Sequence, residues 1–287
     1  MVRLVTLGRE EMMLHIPGKK RFPLVAVCAI LAVFGILVSC ETVPLTGRQS
    51  LHLVSDTELV TLSLQQYQDV LHKSKLSQDQ QKVQMVRNVG SRIAWATGDL
   101  LKQRGMGAEV STYKWEFNLI EDDKTVNAWC MPGGKVAVYS GLLPVARDET
   151  GLAVVMGHEI AHAVAKHGNE RVSEGLIQQM GGAALSVALS TQAAATKDLF
   201  LQAYNAGTNV AFMLPYSRLQ ESEADHIGLI LMAKAGYDPR QAVPFWKRMA
   251  ASGGSRPSEF LSTHPAPETR IKQIEALMPE AMSYYKR

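Results

Sequence analysis

The stretch VVMGHEIAHAVAKHG, residues 154–168, sets His158 and His162 four positions apart with Glu159 directly after the first, inside a run of apolar helix formers. That register demands a helix if the three side chains are to act together. Residues i and i+4 lie one above the other on the same helix face, so the two imidazoles can reach one metal ion while Glu159 projects beside them. Zinc accepts borderline-soft nitrogen ligands of this kind, and a hydrolytic zinc site keeps one coordination position for water. Glu159 is then placed to take that water's proton as the metal lowers its pKa toward about 7. The motif alone is incomplete, because the ion needs a third protein ligand.

Downstream, YSRLQESEADHIG at 216–228 offers two acids four apart, Glu221 and Asp225, on a predicted helix. They share a face, whereas Glu223 points away from both. Glu221 is the candidate ligand. Asp225, one turn later, is suited to accept the remaining ring N–H of a ligating histidine and fix its tautomer. Standing alone, the fragment would read as a solvated acidic helix face; beside HEIAH it reads as the other half of a metal site.

With 287 residues, 46% of them hydrophobic and 20% charged, the chain is long enough for one substantial core. We expect one domain behind a leader. Residues 22–39, FPLVAVCAILAVFGILVS, are uncharged and apolar and follow Lys19, Lys20 and Arg21, the layout of a secretory signal peptide. The run is barely as long as the roughly 20 residues a membrane span needs. Leu37-Val38-Ser39-Cys40 resembles a bacterial lipobox, which predicts cleavage and lipidation at Cys40; an uncleaved anchor helix is the alternative. The expected division is a signal peptide over 1–39, a lipidated extended tether over 40–50 and a catalytic domain over 51–287. Glu41 after the cysteine makes outward sorting, to the outer membrane, the default.

The leader carries five basic and two acidic residues, so the chain's 30 basic and 27 acidic residues become 25 of each once it is removed. The net charge of +3 therefore gives no ground for nucleic-acid binding, which calls for a basic patch on the folded domain. Of three cysteines, only Cys130 lies beyond position 40, which excludes an intrachain disulfide framework in the domain.

Periodicity predicts helices at about 55–73 and 78–103, then a small meander of strands at 113–120, 125–131 and 135–140, the last two separated by Pro132-Gly133-Gly134. From about Glu149 the pattern is helical again: the HEIAH segment, a Gly/Ala-rich stretch at 169–208, and helices at about 217–235, 239–251 and 266–278. The sum is an α+β fold, mostly α-helical, with a small sheet beside the HExxH helix. The segment MGGAALSVALS is read as a closely packed core helix, being shorter and less apolar than a membrane span.

The fragments HEIAHAVAKHG, SRLQESEAD, VNAWCMPGGKVAVYSGLL and STHPAPETRI together resemble the gluzincin zinc metallopeptidases of the HtpX, BepA and OMA type, and within them the bacterial periplasmic lipoprotein branch. The likeness runs in matching order over about 49–278. It implies a zincin-like fold, one zinc ion held by His158, His162 and Glu221, and Glu159 as general base. It further implies that the strand around Asn127 and Ala128 flanks the cleft and pairs with substrate backbone, a grip that suits a protease accepting many sequences. Relatives often carry Asn-Ala-Phe-Ala where this chain has Asn-Ala-Trp-Cys; the Cys130 thiol is expected to be buried and inert. For His264 in STHPAP the resemblance suggests approach to the zinc, either stabilising an oxyanion or filling the open coordination position at rest; a loop-capping histidine is the alternative. His167 and Arg171 are assigned to the end of the zinc helix. The implied activity is a membrane-anchored metalloendopeptidase that removes misfolded or unassembled envelope proteins in the periplasm of a bacterial cell, with unfolded proteins and the membrane as its partners. A chaperone or assembly factor using the same cleft without cutting is the alternative, and it would not need Glu159.

Overall fold

The computed structural model describes residues 40–180, 196–199, 217–252, 259–264 and 268–286. The chain divides into Met1–Val38 and Ser39–Arg287, and all described residues belong to the second unit. The expected leader and, past Met180, the MGGAALSVALS segment lie outside them. Among the described residues, no helix is long and apolar enough to cross a membrane.

Residues read as an extended tether form a hairpin instead: β1 (Cys40–Thr42) pairs antiparallel with β2 (Gln49–Leu51). Its turn uses left-handed backbone at Leu45 and Gly47, and Val43 is buried in the main core. Two amphipathic helices follow, α1 (Asp56–Lys73) and α2 (Gln80–Gln103). Each starts where a side chain satisfies the first free backbone N–H groups: Ser55 accepts from Glu58, and Asp79 from Gln81 and Lys82.

The sheet contains β3 (Glu116–Ile120), β4 (Ala128–Met131) and β5 (Lys135–Tyr139), in the order β3-β5-β4. It is not the meander expected from alternation. β4 and β5 form an antiparallel hairpin through Gly133 and Gly134, both with positive φ, but β3 pairs in parallel with β5, Val136 facing Phe117 on one side and Cys130 on the other. The connection 121–127 therefore crosses over, leaving β4 at the sheet edge. Period-two patterning identifies strands and says nothing about which neighbour each one chooses.

After a short helix α3 (Leu143–Ala146), α4 (Glu149–Val164) carries HEIAH, with Asp148 Oδ1 accepting from Gly151 N at 2.8 Å. Every residue from Gly151 to Val164 is buried, and apart from His158, Glu159 and His162 all of them are apolar or glycine, as befits a helix packed on all sides. α5 (His167–Met180) follows, then α6 (Arg218–Lys234), opened by a capping box between Ser217 and Gln220. α4 and α6 pack face to face, and Gly157 and Gly228 mark their closest approach: a Cβ on Gly228 would lie 3.0 Å from the backbone N of His158. α7 (Ala242–Ser252), α8 (Glu259–Thr263) and α9 (Glu268–Tyr284) complete the fold. α9 outruns its expected end before Pro279, because Ala281 is buried beyond it and Glu280 pairs with His226 at 2.8 Å.

Candidate metal centre

Helix register and the α4–α6 crossing bring three donor groups together, and a fourth arrives from the end of α8. The Nε2 atoms of His158 and His162 stand 3.1 Å apart. Glu221, in the first turn of α6, places Oε1 3.3 Å from His162 Nε2 and Oε2 3.5 Å from His158 Nε2. His264, just past α8, directs Nδ1 at Glu221 Oε1 (2.8 Å) and at His158 Nε2 (3.2 Å). All four residues are buried, and their donor atoms lie within 4.8 Å of one another. Four ligands held about 2.0–2.1 Å from a tetrahedral zinc would be spaced roughly 3.3 Å apart. The spacing and the donor chemistry thus fit zinc.

Glu159 lies beside this cluster, 2% exposed. Its Oε1 has no hydrogen-bond partner among the described residues, and His264 Nε2 is 3.5 Å away. Burial pushes the Glu159 carboxyl above its ordinary range, against the pull of the neighbouring histidine charges. A carboxylate made more basic and left one bond short is equipped to receive a proton.

Asp225 Oδ1 is 3.1 Å from His158 Nδ1, so His158 can present Nε2 to a metal while donating Nδ1–H to the acid. Arg270, in the first turn of α9, closes the arrangement. Its Nη1 is 2.8 Å from Glu221 Oε2, while Nε and Nη2 lie 2.6 and 2.8 Å from the two Asp225 oxygens. The guanidinium carbon stands 3.9 Å from the centroid of the Trp246 ring. Burial would raise the Asp225 carboxyl, but the Arg270 charge and the bonds from His158 and Arg270 hold it below its usual value.

Of the other residues named from the sequence, Ala128 begins the edge strand β4, which packs against α4. Asn127 uses Oδ1 to accept from Ala128 N (2.9 Å) and Nδ2 to donate to Glu259 on α8 (3.1 Å), the helix that leads into His264. Cys40, the expected lipidation site, opens β1. Cys130 is buried, and burial pushes its thiol well above the ordinary value. Reading the sequence alone missed Arg270, although two buried acids on one helix face call for a cation. It also missed what lies behind His162: its Nδ1 is 2.8 Å from Nδ1 of His167, whose Nε2 is 3.2 Å from Glu223.

A helix bearing two histidines and a glutamate in this register, crossed by one whose first turn supplies an acid, is the arrangement that the resemblance to gluzincins implied. The chain belongs to peptidase family M48, which matches residues 99–278. It is 42% identical to the mitochondrial metalloendopeptidase OMA1 of Schizosaccharomyces pombe over 60% of this chain and 49% of that protein. It is 31% identical to the mitochondrial metalloendopeptidase OMA1 of Homo sapiens over 84% of this chain and 46% of that one. The β-barrel assembly-enhancing protease of Escherichia coli shares 33% identity over 55% of this chain and 33% of its own length. The chain thus spans about half the length, or less, of the curated relatives it matches.

These relatives correct one expectation. Mitochondrial metalloendopeptidases of fungi, plants and animals match at identities up to 42%, and over as much as 85% of the chain, whereas the bacterial assembly-enhancing proteases match over 52% and 55% of it. The lipid-anchored position in a bacterial envelope, facing the periplasm at the outer membrane, does not stand. That reading rested on a leader laid out like a signal peptide, four residues resembling a lipobox and a likeness to a bacterial branch of the family, and the wider match to the mitochondrial relatives overturns it.

Proposed function

We propose that the chain is a zinc metalloendopeptidase that hydrolyses peptide bonds of misfolded or unassembled proteins, held at a membrane by the apolar run at 22–39. The observation that carries the reading is the buried Oε1 of Glu159, without a hydrogen bond among the described residues, beside a donor set suited to zinc. His158, His162 and Glu221 would hold the zinc ion, which would supply Lewis acidity to a scissile carbonyl and lower the pKa of water.

The chain's own residues do the rest. Glu159 takes the proton of the attacking water and returns it to the leaving amine. Asp225 keeps His158 in the tautomer that leaves Nε2 free to ligate, and Arg270 neutralises the second acid charge beside the ligands. The edge strand β4 is where an extended peptide would pair through backbone groups without regard to its side chains, and Asn127, whose Oδ1 takes Ala128 N, sets where that edge begins. His264 fills the fourth place of the donor set and stands between Glu221 and Glu159, so it serves as a resting-state occupant that substrate must displace.

The test is metal content and casein cleavage by the wild type and Glu159→Gln. One zinc per chain in both, with cleavage abolished in the variant, is the expected result. Equal cleavage removes Glu159 from the chemistry and the peptidase reading with it. A chaperone using the same cleft would suppress aggregation of unfolded proteins equally well with either residue, and would cleave with neither.

A further inference from the structure

His162 and His158 are both presented through Nε2, yet their far sides are anchored differently. His158 Nδ1 meets the carboxylate of Asp225 directly. His162 Nδ1 meets another imidazole, His167 Nδ1, at 2.8 Å, and His167 Nε2 then meets Glu223 Oε2 at 3.2 Å. His167 is fully buried and Glu223 is 5% exposed. Only one proton arrangement satisfies this line when Nε2 of His162 serves a metal and Glu223 is ionised. His162 donates from Nδ1, His167 accepts at Nδ1, and His167 donates from Nε2 to the acid.

Glu223 is in turn fixed by the N-terminal hairpin. Thr46 Oγ1 donates to its Oε1 at 2.6 Å and Arg48 Nε to its Oε2 at 2.6 Å. The other two nitrogens of Arg48 fork onto Glu170 of α5, at 2.5 and 2.8 Å, and Gln220 Nε2 donates to the same acid at 2.8 Å. One guanidinium thus ties the loop between β1 and β2 to α5 and α6 and, through Glu223 and His167, to a ligand on α4. Planar, bidentate pairing of this kind fixes direction as well as charge.

We propose that Arg48 and Thr46 of the hairpin, acting through Glu223 and His167, position the zinc ligand His162. Arg48, Thr46, Glu223 and His167 are positioning residues, since none of them is among the donors. The proposal rests on the zinc-site reading above. It also gives work to a residue that the helix-face argument set aside: Glu223 points away from Glu221 and meets His167.

The test uses the purified full chain and measures zinc affinity by competition with a chromophoric chelator, together with the visible spectrum of the cobalt-substituted protein. Loss of an outer hydrogen-bonding partner of a metal ligand typically weakens metal binding roughly 10–100-fold. Arg48→Met and Glu223→Gln are each expected to lose affinity in that range and to shift the cobalt bands, and Arg48→Lys to recover part of the loss, since an ammonium pairs with one acid but cannot span both. Thr46→Val removes one hydroxyl and keeps the fold should the other variants fail to accumulate; its expected loss is smaller, about 3–10-fold, from one charge-assisted bond two links from the ligand. Wild-type affinity and an unchanged cobalt spectrum in Thr46→Val, or in Arg48→Met and Glu223→Gln, would overturn the relay. A wild-type chain that binds no zinc would instead sink the zinc-site reading, so the two failures are distinguishable.

Discussion

Replacing Gly228 with alanine separates helix propensity from helix spacing. The added methyl would stand 3.0 Å from the backbone N of His158 and from the carbonyl carbon of Gly157 on α4. Non-bonded carbon contacts are most favourable at about 3.5–4.0 Å, so α4 and α6 would have to part by roughly 0.5 Å. Propensity favours alanine inside a helix by about 1 kcal/mol, while overpacking costs about 1–3 kcal/mol. The net effect on the metal-free fold is a loss of up to about 2 kcal/mol. The effect on zinc should be larger, because α4 carries both histidines, α6 carries Glu221 two turns before the contact, and metal sites tolerate ligand displacements of only about 0.2 Å. We expect at least tenfold weaker zinc binding, equivalent to about 1.4 kcal/mol or more, measured by chelator competition alongside melting of the metal-free protein. Gly98→Ala on α2, where the nearest atom to a new Cβ is 3.5 Å away, is the control and should be neutral or stabilising. Wild-type zinc affinity in Gly228→Ala would refute the claim that this glycine contact sets the ligand geometry.

His264→Ala should raise casein turnover about tenfold without altering zinc content, since a hydrogen bond to a charged group is worth roughly 1.5–3 kcal/mol; a fall in turnover would replace the resting-state role with transition-state support, and unchanged rates in a folded variant would dismiss both. Arg270→Met leaves Glu221 and Asp225 without their shared cation, which should destabilise the metal-free fold by about 3–5 kcal/mol. Zinc should recover part of that loss, so the zinc-induced rise in melting temperature should exceed the wild type's; equal stability of variant and wild type would refute the pairing. The raised thiol of Cys130 predicts that its ionised form is scarce even at pH 9 in the fold. Iodoacetamide should modify Cys130 only after denaturation, by peptide mapping, and the folded state should lose stability as pH rises above 9 because the unfolded thiol ionises first. Rapid labelling of the native chain would contradict this.

What could be read from the sequence is what local periodicity controls. The i, i+4 pairs His158–His162 and Glu221–Asp225 follow from helix geometry once the elements are placed, and α1, α2, α4 and α6 lie close to where apolar spacing puts them. Pairings that depend on how elements meet were not legible. The parallel match of β3 to β5, the docking of residues 40–51 as a hairpin and the bridge from Arg270 to α6 all join positions far apart in the chain. Glu223 shows the limit most clearly: helix phase correctly turned it away from Glu221, but phase could not say that His167 and Arg48 wait on the other side. The cellular setting misled for a different reason, since a leader motif is read by transport machinery and leaves no imprint on packing.

The hairpin's position gives shedding a chemical consequence. Arg48 is the last residue of its loop, so a cut before Thr46 would leave Thr46 and Arg48 on the domain with Glu223, whereas a cut just after Arg48 would remove both. Which bond is broken, and not only whether the N-terminal segment is lost, would decide whether the trimmed domain keeps the support behind His162.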